Sequence, residues 1–188
     1  MSHASIPTEY KGCRYRSRLE ATWAAFMEDL GWPCQYEPVD LAGYIPDFII
    51  TWPWAPLLLE VKPALSFAAL SQHTGKIEAS GWEHDALIVG TSPVLDAIPT
   101  TGFTRIGLLS QRDHFANEAG AGWCWGPGLV HQCDACKSLS IHHQDEAWNC
   151  YACGAYEGNG LLLPVGAEEL SGWWNKALST TQWKGGPR

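Results

Sequence analysis

Pro46-Asp47-Phe48-Ile49-Ile50-Thr51 and Leu57-Leu58-Leu59-Glu60-Val61-Lys62 are two strand-like runs joined by Trp52-Pro53-Trp54-Ala55-Pro56, a proline-broken turn. A link this short predicts an antiparallel hairpin. Side chains alternate faces along a strand, so Glu60 and Lys62 share one face while Leu59 and Val61 take the other. Strands inside an apolar core seldom carry an acid and a base together unless something uses them. Asp47 opens the first strand, and in a hairpin it converges with Glu60 near one edge of the sheet. Pro63 pushes Lys62 toward extended geometry, which suits a strand end.

Outward from the hairpin, Leu19, Trp23, Phe26, Met27 and Leu30 recur at helical spacing and predict a helix over Tyr15 to Leu30, stopped by Gly31-Trp32-Pro33. A short extended piece is expected over Cys34 to Val39. Ser66 to Ser80 predicts a second helix. Ala86-Leu87-Ile88-Val89 and Arg105-Ile106-Gly107-Leu108-Leu109 predict two more strands. The order helix, three strands, helix, one or two strands predicts an α/β sandwich with a mixed central sheet. Ser110 to Gly128, with four glycines, reads as a connector, and Ala167 to Ser179 as a last helix before a loose tail. The expected division is a core over 1–110, a connector over 111–128, a cysteine-rich module over 129–160, and a helix with tail over 161–188.

Glu20 sits three before Trp23 and seven before Met27, on or beside the apolar stripe of its helix, where a solvated acid is out of place. Converging carboxylates bind a hard cation such as magnesium. A bound metal lowers the pKa of a water and screens charge on a phosphate, and a nearby lysine can orient that water. Pro46-Asp47, a spacer and Glu60-Val61-Lys62 resemble the signature of the PD-(D/E)XK nuclease superfamily. Arg16-Ser17-Arg18-Leu19-Glu20 resembles the first-helix motif of its small phage-borne and bacterial members. The resemblance covers roughly Tyr15 to Leu109. It implies a restriction-endonuclease-like fold. It also implies Mg2+ or Mn2+ held by Asp47, Glu60 and the Val61 carbonyl, with Glu20 as an accessory ligand and Lys62 positioning the attacking water. The implied reaction is hydrolysis of DNA phosphodiester bonds to leave 5′-phosphates, by an endonuclease rather than an exonuclease. Gln72 and Lys76, four apart on the second helix, are weaker candidates for touching the phosphate; a solvated helix face explains them equally well.

Cys133-Asp134-Ala135-Cys136 and Cys150-Tyr151-Ala152-Cys153 are two C-x-x-C knuckles separated by thirteen residues. Four thiolates so spaced complete a tetrahedral site of the kind structural zinc prefers. The segment resembles a zinc ribbon, small enough that Zn2+ holds it folded. His131, His142 and His143 lie close by and read as surface residues, since four cysteines already fill the site. Lys137 is the only lysine or arginine between Cys133 and Cys153, which weakens a phosphate-gripping role and favours a structural or partner-docking one. Cys13, Cys34 and Cys124 read as incidental thiols.

Hydrophobic residues make up 46% of the 188-residue chain and charged residues 17%, enough for a packed core. No run is apolar enough to span a membrane, and Met1 to Tyr10 lacks a secretory pattern, so a cytoplasmic protein is expected, in a bacterial host if phage-encoded. A net charge of -8 argues against a broad basic surface wrapped on nucleic acid. Of eleven tryptophans, Trp23 and Trp32 are expected in the core. Trp52 and Trp54 are expected in the hairpin turn beside the site, where they could stack on unpaired bases of single-stranded or branched DNA. Two rival readings stand beside the nuclease, which is expected as a monomer or homodimer. One is a catalytically silent nuclease-fold protein that binds nucleic acid or a partner. The other is a zinc-ribbon adaptor for a host protein, separable by removing the chain from Val130 onward.

Overall fold

The structure, a computed structural model, describes residues 5–93, 104–112, 123–144, 149–156, 158 and 161–182. A small hairpin, β1 (Thr8–Tyr10) and β2 (Cys13–Tyr15), leads into helix α1 (Arg18–Asp29). Then come β3 (Cys34–Tyr36), β4 (Phe48–Thr51) and β5 (Pro56–Val61). Two short helices follow, α2 (Phe67–Leu70) and α3 (Thr74–Glu78), with a 3-10 turn over Ser71–His73 between them. The chain continues through β6 (Ala86–Val89), β7 (Arg105–Arg112), β8 (Trp123–Cys133), β9 (Leu139–His143), β10 (Leu162–Pro164) and helix α4 (Ala167–Thr180).

Eight of these strands form one mixed sheet in the order β10-β8-β7-β6-β5-β4-β3, with β9 also paired to β8. Only β5 and β6 pair in parallel among the described strands; α2 and α3 make the crossover between them. The molecule is therefore mixed α/β, as the alternation of helical and strand patterns predicts.

Strand alternation divides the core into two layers. Phe48, Ile50, Leu57, Leu59, Val61, Leu87 and Val89 face α1 and α4. Leu58, Ala86 and Ile88 face the opposite side, against Leu70 of α2 and Ile77 of α3. The first layer holds the large aromatics. Trp23 is fully buried, its ring centroid 4.9 Å from that of Trp174 and 5.3 Å from that of Phe26. The Trp23 Nε1–H donates to the Gly90 carbonyl at 2.8 Å, so the polar end of this buried ring is satisfied. Burying one such ring removes roughly 150–250 Å² from water, worth about 4–6 kcal/mol. Trp174 thus binds α4 into the core.

Several expectations differ from what is found. The helix predicted over 66–80 is broken, because Ser71, Thr74 and Gly75 are poor helix formers and the Ser71–His73 turn tightens to 3-10 geometry. The connector expected over 111–128 is strand at both described ends, and the boundary expected at 128/129 falls inside β8. Gly126 and Gly128 are strand glycines, not loop glycines. A Cβ on Gly126 would lie 2.4 Å from His143 Nε2, and one on Gly128 would lie 2.6 Å from Ile141 Cδ1. They are there for close packing between β8 and β9. No described helix is long and apolar enough to cross a membrane. The tail beyond 182 lies outside the described residues.

Gly107 sits where the β7–β8 register shifts, at φ +64°, and a Cβ there would meet the Ile88 carbonyl oxygen at 2.4 Å. Both the backbone conformation and the space demand glycine. Gly107→Ala is expected to cost at least about 2 kcal/mol in urea denaturation; an unchanged midpoint would contradict this packing.

Candidate active site and metal centre

The β4–β5 register pairs Phe48 with Leu59, which sets Asp47 opposite Glu60. Side-chain bonds lock the pair. The Val61 N–H donates to Asp47 Oδ2 at 2.8 Å, and the Asp47 N–H donates to Glu60 Oε2 at 3.3 Å. Both acids are buried, 4% and 7% exposed. Lys62 Nζ pairs with Glu60 Oε1. The three residues expected to converge on one sheet edge, Asp47, Glu60 and Lys62, are therefore brought together.

Glu20 is held differently. Ser17 is the N-cap of α1, accepting from the Glu20 N–H, and its hydroxyl donates to Glu20 Oε1 at 2.8 Å, a variant of the capping box. Glu20 Oε2 accepts from the Tyr36 hydroxyl at 2.6 Å and from the Arg16 N–H at 3.2 Å. Three of the carboxylate's roughly four acceptor sites are thus used locally. The reason is geometric: α1 packs on the sheet face of Leu59 and Val61, whereas Asp47, Glu60 and Lys62 alternate to the other face. Among the described residues, the three carboxylates do not form one metal-sized cluster. Gln72 and Lys76 are exposed and lie in separate short elements rather than on one helix face.

Four residues near the site carry no role from the sequence, although Arg16 stands in the first-helix motif. Arg16 Nη2 lies 2.7 Å from Asp47 Oδ1, and its Nε 2.6 Å from Glu37 Oε1. The Tyr44 hydroxyl donates to Glu60 Oε2 at 2.9 Å, presented by a tight turn in which Ala42 and Gly43 both have positive φ. Asp40-Leu41-Ala42-Gly43 is the sequence signal for that turn. His73 is half-buried in the 3-10 turn, pushed below the usual histidine range by burial and by the Lys62 ammonium, with Glu60 opposing. Nothing in the sequence pointed to Arg16 or His73 reaching this end of the hairpin.

Burial, and then the Glu60 carboxylate, push Asp47 up to about 6, against the opposing pull of the Val61 N–H and Lys62. Arg16 is screened by solvent and does not cancel the rise. Each acid draws one cation, Arg16 on Asp47 and Lys62 on Glu60, and their oxygen donors also fit a hard divalent cation.

The cysteine cluster lies at the other end of the hairpin. The first knuckle is the turn between β8 and β9; the second is closed by a bridge between Asn149 and Tyr156. The two knuckles close alike: Lys137 N–H to Cys133 O at 2.7 Å, and Gly154 N–H to Cys150 O at 2.8 Å. Both closing residues have positive φ, +62° and +74°. The four sulfurs lie within 4.8 Å of one another, with Cys133 to Cys153 at 3.6 Å and Cys136 to Cys150 at 3.5 Å. A tetrahedron with metal–sulfur bonds of about 2.3 Å needs edges of about 3.8 Å, so the cluster is already set for one ion. Ser138 Oγ, 2.6 Å from Cys136 Sγ, helps hold that thiol down to about 6.

Trp52 and Trp54 belong to this end, not to the carboxylates. Trp52 stacks on Tyr151 with centroids 4.6 Å apart, and the Trp54 Nε1–H donates to the Tyr151 carbonyl at 2.8 Å. The expectation placing them beside the site is corrected: β4 and β5 carry the turn to the far end from Asp47 and Glu60. His131, His142 and His143, expected at the surface, are buried, with His142 stacked on Tyr151 at 4.7 Å. Burial pushes His131 and His142 down to about 4. Compared with known protein families, curated proteins and solved structures, the chain matches none.

Two outcomes follow from this geometry. Asp47 is raised in the folded state to about 6 against about 4 unfolded, so the folded chain holds its proton more tightly. That stability is fully present below pH 4 and is lost as pH rises through 6, on the order of 2–3 kcal/mol. In magnesium-free urea denaturation, Asp47→Asn should gain stability relative to wild type between pH 4 and pH 8; parallel curves would contradict the buried pair. Elemental analysis should find about one zinc per chain surviving dialysis. Fully folded, metal-free protein would contradict the four-thiolate site.

Proposed function

We propose that this chain is a divalent-metal-dependent nuclease of the PD-(D/E)XK type, with a restriction-endonuclease-like core, that hydrolyses DNA phosphodiester bonds to leave 5′-phosphates. The observation that carries the reading is the meeting of Asp47, Glu60 and Lys62 at one buried end of the β4–β5 hairpin. Bound Mg2+ or Mn2+ would lower the pKa of a water and neutralise charge on the phosphate. Asp47, Glu60 and the Val61 carbonyl would hold it.

The chain's own groups have separate tasks. The Val61 N–H and the hairpin register orient Asp47. Tyr44 fixes one oxygen of Glu60 and leaves the other toward Lys62. Lys62 would orient the attacking water. Glu20, spent on Ser17, Tyr36 and Arg16, supports the site as a brace rather than as a direct ligand. Zinc at the four cysteines is structural, since that end of the hairpin lies roughly 15–20 Å of strand away.

A second reading is favoured by the same ion pairs. Arg16 on Asp47 and Lys62 on Glu60 already balance two buried charges, as they would in a nuclease-fold protein that binds nucleic acid or a partner without cutting. A cleavage panel separates the readings: supercoiled, linear, single-stranded and branched DNA, and RNA, with Mg2+ or Mn2+. Metal-dependent cleavage that falls at least about 100-fold in Glu60→Ala and Lys62→Ala supports the nuclease. Cleavage unchanged in Glu60→Ala would reject the site, and no cleavage by folded, zinc-loaded protein would favour the binder.

A further inference from the structure

Both oxygens of Asp47 are bonded within the chain. Oδ2 accepts from the Val61 N–H, a main-chain bond fixed by the hairpin. Oδ1 is paired with Arg16, whose side chain is 58% exposed against 6% for that of Asp47. The guanidinium therefore lies between the acid and solvent. Its position is built rather than incidental. The Arg16 N–H is shared between Glu20 Oε2 and the Tyr36 hydroxyl at 3.2 and 3.0 Å, which anchors the backbone beside α1. Glu37, the second acid on the guanidinium, has φ +46°, and its N–H donates to the Asp47 carbonyl at 3.0 Å. A glutamate seldom adopts left-handed backbone, so its placement opposite Arg16 Nε is held against a local cost.

Two cations drawn to the same oxygen of one carboxylate repel each other. A hard cation approaching Asp47 Oδ1 meets the guanidinium and competes with it for that oxygen. Its exposure makes leaving easy, and its anchored backbone keeps it within reach. A planar guanidinium is well matched to phosphate oxygens. On a chain of net charge -8, cations near the site are few enough that each one counts against an incoming phosphate.

We propose that Arg16 is an internal counter-ion for the metal site: it covers Asp47 Oδ1 in the metal-free protein, is displaced by the divalent cation, and then offers its guanidinium to the substrate phosphate. The inference rests on the nuclease reading. It gives that site an exchange in which metal binding frees a phosphate-binding group, so that the two ligands are taken in order.

Titration calorimetry with Mn2+ on the zinc-loaded full chain tests it, using wild type, Asp47→Asn and Arg16→Gln. The wild type should bind Mn2+, and Asp47→Asn should lose most of that binding. Arg16→Gln, freed of the competing charge, should bind Mn2+ about tenfold more tightly. The same variant should cleave DNA at least about tenfold more slowly at saturating Mn2+. This pairing of opposite signs separates the proposal from a merely structural role, in which both properties would weaken. No Mn2+ binding by the wild type would overturn the metal-site reading itself. Binding by the wild type that is equal or weaker in Arg16→Gln would overturn only the role given to Arg16. Should Arg16→Gln fail to fold, the wild type still decides: the Arg16 Nε–H resonance should shift during a Mg2+ titration with the same dissociation constant as binding. A resonance that stays in place as the site fills would overturn the displacement.

Discussion

Two carboxylates share one buried end of the β4–β5 hairpin, and most of what surrounds them compensates for that. The hairpin register sets Asp47 against Glu60, and the Val61 N–H holds Asp47 there. Left alone, the pair would repel in a poorly solvated place, which is why Asp47 is raised to about 6. Lys62, Tyr44 and Arg16 each supply hydrogen bonds or positive charge to one of the two acids. Buried acids without such partners would be strongly destabilising. An apolar pair would fill the same space at lower cost, so the retention of the acids is the physical argument for use.

The hairpin has two ends, and they are tied to different things. At one end the strands carry the acids. At the other, the turn is clasped by the second cysteine knuckle through the Trp52–Tyr151 stack and the Trp54–Tyr151 hydrogen bond. Trp32 packs edge-on against Trp52 with centroids 5.4 Å apart, continuing the contact to the end of α1. A metal at the cysteines therefore steadies the turn from which both site-bearing strands run. It also means that the cysteine-bearing segment does not detach cleanly. β8 pairs with β7, β9 and β10, so removing the chain from Val130 onward would take strands from the central sheet and α4 from the core.

The strongest sequence signals were short-range. Strand alternation set Glu60 and Lys62 on one face, the proline-broken turn set the hairpin, and C-x-x-C spacing set the cluster. Each of these depends on residues within a few positions of one another. What escaped was long-range or depended on packing. Gly126 and Gly128 look like loop residues unless His143 and Ile141 are known to lie against them. Trp174 looks like a surface residue unless α4 is known to meet α1. The histidines of β8 and β9 look solvated until the second knuckle covers them. Trp52 and Trp54 were placed with the acids because they are near in sequence, although a strand carries its two ends apart. Arg16 lies 31 positions from Asp47, and only the packing of α1 beside the hairpin brings them together.

On the proposed function, Asp47 and Glu60 would hold a divalent cation distinct from an ion at the four cysteines. Anomalous diffraction from crystals of the zinc-loaded protein soaked in Mn2+ tests this most directly, with data on either side of the manganese and zinc edges. The account predicts a manganese peak within about 2.0–2.4 Å of oxygens of Asp47 and Glu60, and a separate zinc peak among the cysteine sulfurs. A zinc peak with no manganese between the two acids, in crystals whose solvent reaches that end of the hairpin, would contradict it.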